Sequence, residues 1–117
     1  MSESIIRKKS FDFSLKVISL YKTLTSQGEY IISKQLLKSG TSIGANVEEA
    51  LAGQSKRDFL SKMAISSKEA RETRYWLMLL NESNLVEMNF GGILLEVEEL
   101  IKILTSIVKT SSQSLKK

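Results

Sequence analysis

Apolar residues recur along this chain at intervals of three and four positions, which is the repeat of an amphipathic α-helix. The pattern predicts helices near residues 10–27, 29–52, 55–80 and 90–111. Gly28 and Gly53 are placed to end the first two helices, and Ser55 followed by Asp58 is typical of a helix start. The chain has no proline to interrupt a helix, and no strand-like alternation competes with this interpretation.

One apolar stripe on each predicted helix is expected to face the core. On the first helix the main stripe is Phe11, Leu15, Ile18 and Tyr21. The stripes of the other helices are Ile32, Leu36, Gly40, Ile43, Val47 and Ala50; then Phe59, Met63, Ser66, Ala70, Thr73, Leu77 and Leu80; and finally Ile93, Val97, Leu100, Leu104 and Ile107.

Short connections force neighbouring helices to run antiparallel, so the sequence predicts an all-α, up-down-up-down four-helix bundle. We expect a single domain, with the bundle spanning residues 10–111. Residues 1–9 and 112–117 are expected to form flexible basic ends.

Two helices carry more apolar surface than one stripe requires. The first helix has a second stripe of Phe13, Val17, Leu20 and Leu24, and the third has Ile65, Trp76 and Leu79 away from its main stripe. An exposed apolar patch of this kind is unusual in a monomer, which favours burial against another subunit. The alternative is that tightly packed helices share wide apolar faces.

The composition excludes most catalytic chemistry. With no histidine and no cysteine, nucleophilic triads, imidazole-ligated metals and redox thiols are absent. We therefore expect no enzyme, no cofactor and no bound metal. The longest apolar run, Trp76 to Leu80, is far too short to span a membrane, and no targeting signal is visible, so we expect a soluble, cytoplasmic protein.

The net charge of +4 permits an anionic partner, and the charge is unevenly distributed. Residues 82–101 contain five acids and no base, whereas residues 102–117 contain four lysines and no acid. On the third helix, Arg57, Lys68, Arg71 and Tyr75 share the face opposite the core stripe. Such a face could bind phosphates through its cations and stack a base on Tyr75. The alternative is an ordinary solvated surface, with Tyr75 packed between subunits.

The second helix combines small and polar residues. Gly40 and Gly44 lie four positions apart and allow another helix to approach closely. A polar row flanks the core stripe: Gln35, Ser39, Ser42, Asn46 and Glu49. Glu69 and Glu72 of the third helix could meet this row in a hydrogen-bonded network. A carboxylate metal site is the alternative, although such bundle sites normally add histidine.

Two segments of the chain, Gln35–Ala50 and Lys68–Leu77, closely resemble a bacterial family of small four-helix-bundle proteins. These proteins were first noticed as reading frames within intervening sequences of 23S ribosomal RNA genes, and they are often labelled ribosomal proteins. The resemblance covers nearly the whole chain. Many relatives have Asn-Ile-x-Glu-Gly where this chain has Asn46-Val47-Glu48-Glu49-Ala50, and alanine in place of that glycine leaves the helix continuous.

The resemblance implies a bundle that assembles into a ring, a homopentamer. A related branch, the accessory variability protein of diversity-generating retroelements, is a pentamer that binds a reverse transcriptase and RNA. The family supplies no catalytic residues. Its motif positions in this chain are implied to be architectural: Gly40, Gly44, Asn46, Glu49, Glu69, Glu72 and Trp76.

Together these observations predict a non-enzymatic homo-oligomer that binds nucleic acid, most readily structured RNA, or that scaffolds an RNA-handling protein such as a reverse transcriptase. Arg57, Lys68 and Arg71 would contact phosphates, with Tyr75 beside them. Flexible additions to these contacts would be Lys8, Lys9, Lys116 and Lys117. Two alternatives remain: an oligomer with a purely structural or protein-binding role, and a carboxylate metal-binding bundle.

Overall fold

The computed structural model describes residues 2–116, with side chains described for residues 5–116. Its helices are α1 (Ser2–Ser26), α2 (Ile32–Leu51), α3 (Lys56–Ser83) and α4 (Gly91–Leu115). Each helix packs antiparallel to the next, and α1 also contacts α4, which closes a bundle of 50 × 22 × 21 Å. All regular structure within the described residues is helical, so the predicted all-α, up-down-up-down bundle is confirmed.

The predicted core stripes of α2, α3 and α4 are also confirmed. Their leading residues Ile32, Phe59 and Ile93 are partly buried and pack against the core, and the rest of each stripe is buried. The core continues into the α3–α4 connection through Val86 and Phe90, which are buried as well. A single apolar core therefore runs the length of the bundle.

The core face predicted for α1 is wrong. Phe11, Leu15 and Ile18 are exposed, and the second stripe of Phe13, Val17, Leu20 and Leu24 is buried instead. The helix begins eight residues earlier than expected, which extends this second stripe back to Ile6 and Ser10. The buried stripe thus spans almost the whole helix, whereas the exposed one covers only its middle.

The first and last helices extend beyond the predicted limits of the bundle. Residues 2–9 belong to α1 and residues 112–115 belong to α4, so the bundle extends well beyond residues 10–111. Ile6 is fully buried, which anchors the early turns of α1 in the core. Met1 and Lys117 lie outside the described residues.

The two glycines of α2 bring α1 close, as the sequence predicts. A Cβ atom at Gly40 would lie 2.8 and 2.9 Å from the two γ-methyl carbons of Val17. A Cβ at Gly44 would lie 3.3 Å from the backbone oxygen of Ser10. Glycine therefore sets the separation between α1 and α2 along their middle turns.

The helix ends follow simple chemistry. Ser55 accepts a hydrogen bond from the backbone N–H of Asp58 at 3.0 Å, which confirms the predicted start of α3. Gly28 ends α1 with a φ of 88°, in the left-handed region that glycine tolerates. Glu29, predicted to lie within the second helix, instead precedes it, and its carboxylate accepts bonds from the N–H groups of Ile31, Ile32 and Ser33.

Candidate nucleic-acid interface

The predicted basic residues of α3 share its outer face, with Arg57 eleven residues, or about 16 Å, before Lys68. Arg57, Lys68 and Arg71 are exposed, and the side chain of Tyr75 is 55% exposed beside them. The Tyr75 ring meets the partly buried Trp76 ring edge-on, with centroids 5.2 Å apart and planes at 67°. Tyr75 therefore already has an aromatic neighbour, although more than half of its surface is exposed to solvent.

Arg71 differs from the other predicted cations because it reaches across to α4. Its Nη2 donates a hydrogen bond to Thr105 Oγ1 at 3.1 Å. This contact closes one end of an open groove between α3 and α4, with a volume of about 450 Å³. The groove is lined by Ser67, Arg71, Thr105, Val108, Lys109, Ser112, Gln113 and Lys116.

The sequence interpretation missed the α4 side of this groove. Thr105, Lys109, Ser112 and Lys116 follow one another at steps of four, three and four, so they share one face of the helix. The spacing of this polar stripe is visible in the sequence, which predicts Lys116 only as a flexible addition to the phosphate contacts and assigns Lys109 no role. Packing against α3 is what turns the stripe into the wall of a groove.

Five of the thirteen acids in the chain form ion pairs with cations elsewhere on the bundle. The ion pairs are Arg7–Glu48 (2.7 Å), Lys8–Asp12 (3.0 Å), Lys9–Glu99 (3.1 Å), Lys16–Glu96 (2.6 Å) and Lys62–Glu49 (2.9 Å). Within residues 5–116, none of these pairs involves Arg57, Lys68 or Arg71, or the two lysines of the groove. The positive charge of this region is therefore available to an outside anion.

Charge is also divided along the long axis. The start of α3 and the end of α4 meet at one end of the bundle, where Ser55 and Lys56 line a shared cavity with Ser114. Lys56, Arg57, Lys109 and Lys116 therefore belong to the same half of the molecule. The opposite end carries the acids of residues 82–99, in the last turn of α3, the connection and the first half of α4.

The hydrogen-bonded network predicted between α2 and α3 does not form as expected. Ser42 and Asn46 donate to carbonyl oxygens of their own helix, at 2.7 and 2.9 Å. Glu72 accepts a bond from Trp76 Nε1 of its own helix at 3.1 Å. Gln35 and Glu49 are exposed, and Glu49 pairs with Lys62 at the surface. These flanking positions lie at the outer edge of the contact between α2 and α3, where water competes for their hydrogen bonds.

The α2–α3 bonds are made by the core stripes instead. Ser66 Oγ donates to the backbone oxygen of Ile43 at 2.8 Å, and Thr73 Oγ1 contacts Ser39 Oγ at 2.9 Å. Both bonds are buried. Of the predicted polar row, Ser39 makes a buried bond to α3, and Glu49 reaches α3 only through its exposed ion pair with Lys62.

Among the described carboxyl groups, Glu69 is the one whose environment disfavours its charge. Partial burial raises its pKa, the nearby carboxylate of Glu72 raises it further, and Lys68 and Lys38 act in the opposite direction. Across the described residues, no three acidic side chains converge as a metal site would require. The geometry of this pair therefore lends no support to the carboxylate metal alternative.

The exposed stripe of α1 forms the clearest apolar surface. Phe11 is 61% exposed and Leu15 52%, with Ile18 one turn further on. They flank a shallow groove of about 320 Å³ whose other wall contains Thr41 and Ala45 of α2. An apolar surface of this size and continuity is typical of an interaction site.

Comparison with known proteins places these features in a family. The family model described as "23S rRNA-intervening sequence protein" matches residues 2–106. A crystal structure of a protein of unknown function, from the S23 ribosomal protein family of Bacteroides thetaiotaomicron, is 42% identical. The alignment covers 93% of this chain and 99% of that one, with a TM-score of 0.89. Comparison with functionally curated proteins gives no match.

In the part of the chain that the structure describes, no helix has the length and apolar character needed to cross a bilayer.

Proposed function

Because the chain belongs to the 23S rRNA-intervening sequence protein family, we propose that it is a non-enzymatic, cytoplasmic homo-oligomer that binds nucleic acid, with structured RNA as the preferred ligand. The observation that carries this proposal is the basic region formed by the outer face of α3 and the second half of α4. There, cations without ion-pair partners in the described chain lie beside hydroxyl groups and an exposed tyrosine.

Electrostatics explains why such a region suits a nucleic acid. A polyanion that meets several cations releases its condensed counterions, and this release drives binding irrespective of sequence. Arg57 and Lys68 point outward and Arg71 lies at the edge of the groove, so all three can reach a ligand without unfolding the bundle. The exposed ring of Tyr75 could stack on a base.

Self-association is supported by the α1 surface. In an isolated subunit, the apolar side chains of Phe11, Leu15 and Ile18 would stay exposed to water. Burying them in an interface would stabilise the assembly by roughly 25 cal/mol for each Å² of apolar area removed from water. A ring would repeat the basic region once in every subunit, so modest phosphate contacts would add up to a tight complex. The pentamer is the assembly that the family resemblance favours.

The test is binding to a structured ribosomal RNA fragment and to duplex DNA of matched length across a salt series. We expect affinity for both to fall steeply with salt, at about −0.9 in the logarithmic slope for each phosphate contact on duplex, and we expect the RNA to bind more tightly. Replacing Arg57, Lys68 and Arg71 with glutamate should weaken binding at least tenfold while leaving helicity and oligomer mass unchanged. Absence of binding to either ligand at low salt would contradict the proposal.

A second function is favoured by the same α1 surface: an oligomer whose role is structural or protein-binding. In that case the assembled protein would bind no nucleic acid but would retain its mass. An RNA-handling protein such as a reverse transcriptase would then be the partner to test, using purified components treated with nuclease.

A further inference from the structure

The groove between α3 and α4 has the composition of an oxyanion site. Its walls present three cationic groups, from Arg71, Lys109 and Lys116, together with the hydroxyls of Ser67 and Ser112. No carboxylate is among its lining residues within the described chain. Hydrogen bonds from cationic groups to phosphate oxygens are about twice as strong as neutral ones, so this lining favours phosphate over a neutral ligand.

The groove is also long enough for a chain of phosphates. From Thr105 to Lys116, α4 advances eleven residues, or about 16 Å at 1.5 Å per residue. One strand of a nucleic-acid duplex presents a phosphate about every 3.4 Å along its axis. The cations therefore extend over several successive phosphates, which a single free phosphate ion could not match.

The same lining lacks the means to read bases. None of the groove residues is aromatic, and Val108 is the only apolar one among them. Tyr75 lies one turn beyond Arg71 on α3, whereas the groove continues from Arg71 in the other direction, toward Ser67. Stacking on Tyr75 is therefore a separate event from binding in the groove.

The cations in the groove are not explained by stability. Arg71 is held by the hydroxyl of Thr105, and neither Lys109 nor Lys116 forms an ion pair in the described chain. Like charges on adjoining walls repel each other in the free protein. A bound anion would remove that repulsion.

We propose that the α3–α4 groove is a sequence-independent binding site for the phosphodiester backbone of nucleic acid. The proposal rests on the proposed function and locates the main contact on α4, which the face of Arg57, Lys68 and Tyr75 does not include. Arg71 is the residue that the groove and that face share.

The test compares two charge-matched double variants of the full chain. Lys109→Glu with Lys116→Glu alters the groove, and Lys22→Glu with Lys34→Glu changes the charge equally on α1 and α2. Binding to an RNA hairpin is measured over a salt series for both, with circular dichroism and sedimentation to verify fold and mass. We expect the groove variant to bind more than tenfold more weakly and its salt slope to fall by about two. The control should lose threefold or less.

Three further binding measurements complete the test. The double variant Lys109→Arg with Lys116→Arg should retain binding, since it keeps the charge. Tyr75→Ala should change the slope of log affinity against log salt concentration by less than half a unit. Hairpins of permuted sequence should bind within threefold of one another. If the groove variant binds like the control, or if one sequence is preferred more than tenfold, the groove assignment is wrong although the proposed function stands. If the unaltered protein binds no RNA or DNA at low salt, both fail.

Discussion

At the scale of single residues, Gly40 is the position where one atom matters most. Its missing Cβ would lie within 3 Å of both γ-methyl carbons of Val17, so Gly40→Ala must push α1 away from α2. Alanine favours the helix by up to about 1 kcal/mol, but overpacking a core contact costs about 1–3 kcal/mol. We therefore expect Gly40→Ala to lower the free energy of unfolding, as measured by urea denaturation.

Two variants separate packing from helix propensity. Gly92→Ala, near the start of α4, places its Cβ where nothing lies within 4 Å, and it should leave stability unchanged or raise it slightly. Val17→Ala removes both clashing methyls, so the double variant with Gly40→Ala should cost less than the sum of the two single changes. Additive costs would show that the Gly40–Val17 contact does not limit the helix separation.

At the scale of secondary-structure elements, α2 depends on a carboxylate that precedes it. Glu29 accepts bonds from the N–H groups of Ile31 (3.1 Å), Ile32 (3.0 Å) and Ser33 (2.6 Å). Burial by itself raises the pKa of Glu29, but the hydrogen bonds from Ile32, Ser33 and Ile31 together lower it below its ordinary 4.5. The charged carboxylate also lies at the positive end of the helix dipole.

Glu29→Ala should therefore reduce the free energy of unfolding by about 1 kcal/mol at neutral pH, as the loss of a helix cap does. A lowered pKa stabilises the fold above the unfolded value near 4.5, and this contribution disappears as the pH falls through the folded value. The difference between wild type and Glu29→Ala should thus shrink below pH 4.5. Urea denaturation at a series of pH values measures this difference in the free energy of unfolding. The control is Glu87→Ala in the α3–α4 connection. A difference that is constant with pH would argue against an ionic cap.

Periodicity predicts the helices well, and the reasons for its failures are physical. The stripes of α2, α3 and α4 are continuous, so they could be read directly. On α1 two stripes compete over residues 10–24, and only the early start of the helix, which adds Ile6, favours the buried one. Because the helix predicted from the sequence begins at Ser10, that prediction places the core face on the wrong stripe.

At the scale of the whole molecule, the exposed α1 surface should control assembly. Phe11→Glu places a charge at the most exposed residue of that surface, and burying it against a partner would be costly. We expect sedimentation velocity to show a shift toward the 13.1 kDa subunit with unchanged helicity. Leu95→Glu on α4, where the side chain is 70% exposed, is the control and should retain the mass of the wild type. An unchanged mass for Phe11→Glu would place the subunit contact elsewhere.

The candidate interface could be predicted only in part from the sequence. The outward face of Arg57, Lys68 and Tyr75 follows from helical spacing within α3 alone. The groove depends on which side of α4 adjoins α3, and that is a matter of packing between helices. Arg71 shows the difference: spacing places it on the basic face, but the structure turns its guanidinium to Thr105.

The separation of charge along the 50 Å axis has a kinetic consequence. Cations where α3 begins and α4 ends, and the acids of residues 82–99 at the other end, give the chain an electric dipole along its length. The electric field of a polyanion exerts a torque on such a dipole and turns the basic end of the protein toward the polyanion before contact. Encounters are then pre-oriented, which speeds association more than it slows release. Added salt should therefore lower the rate of association with a polyanion more than it changes the rate of release.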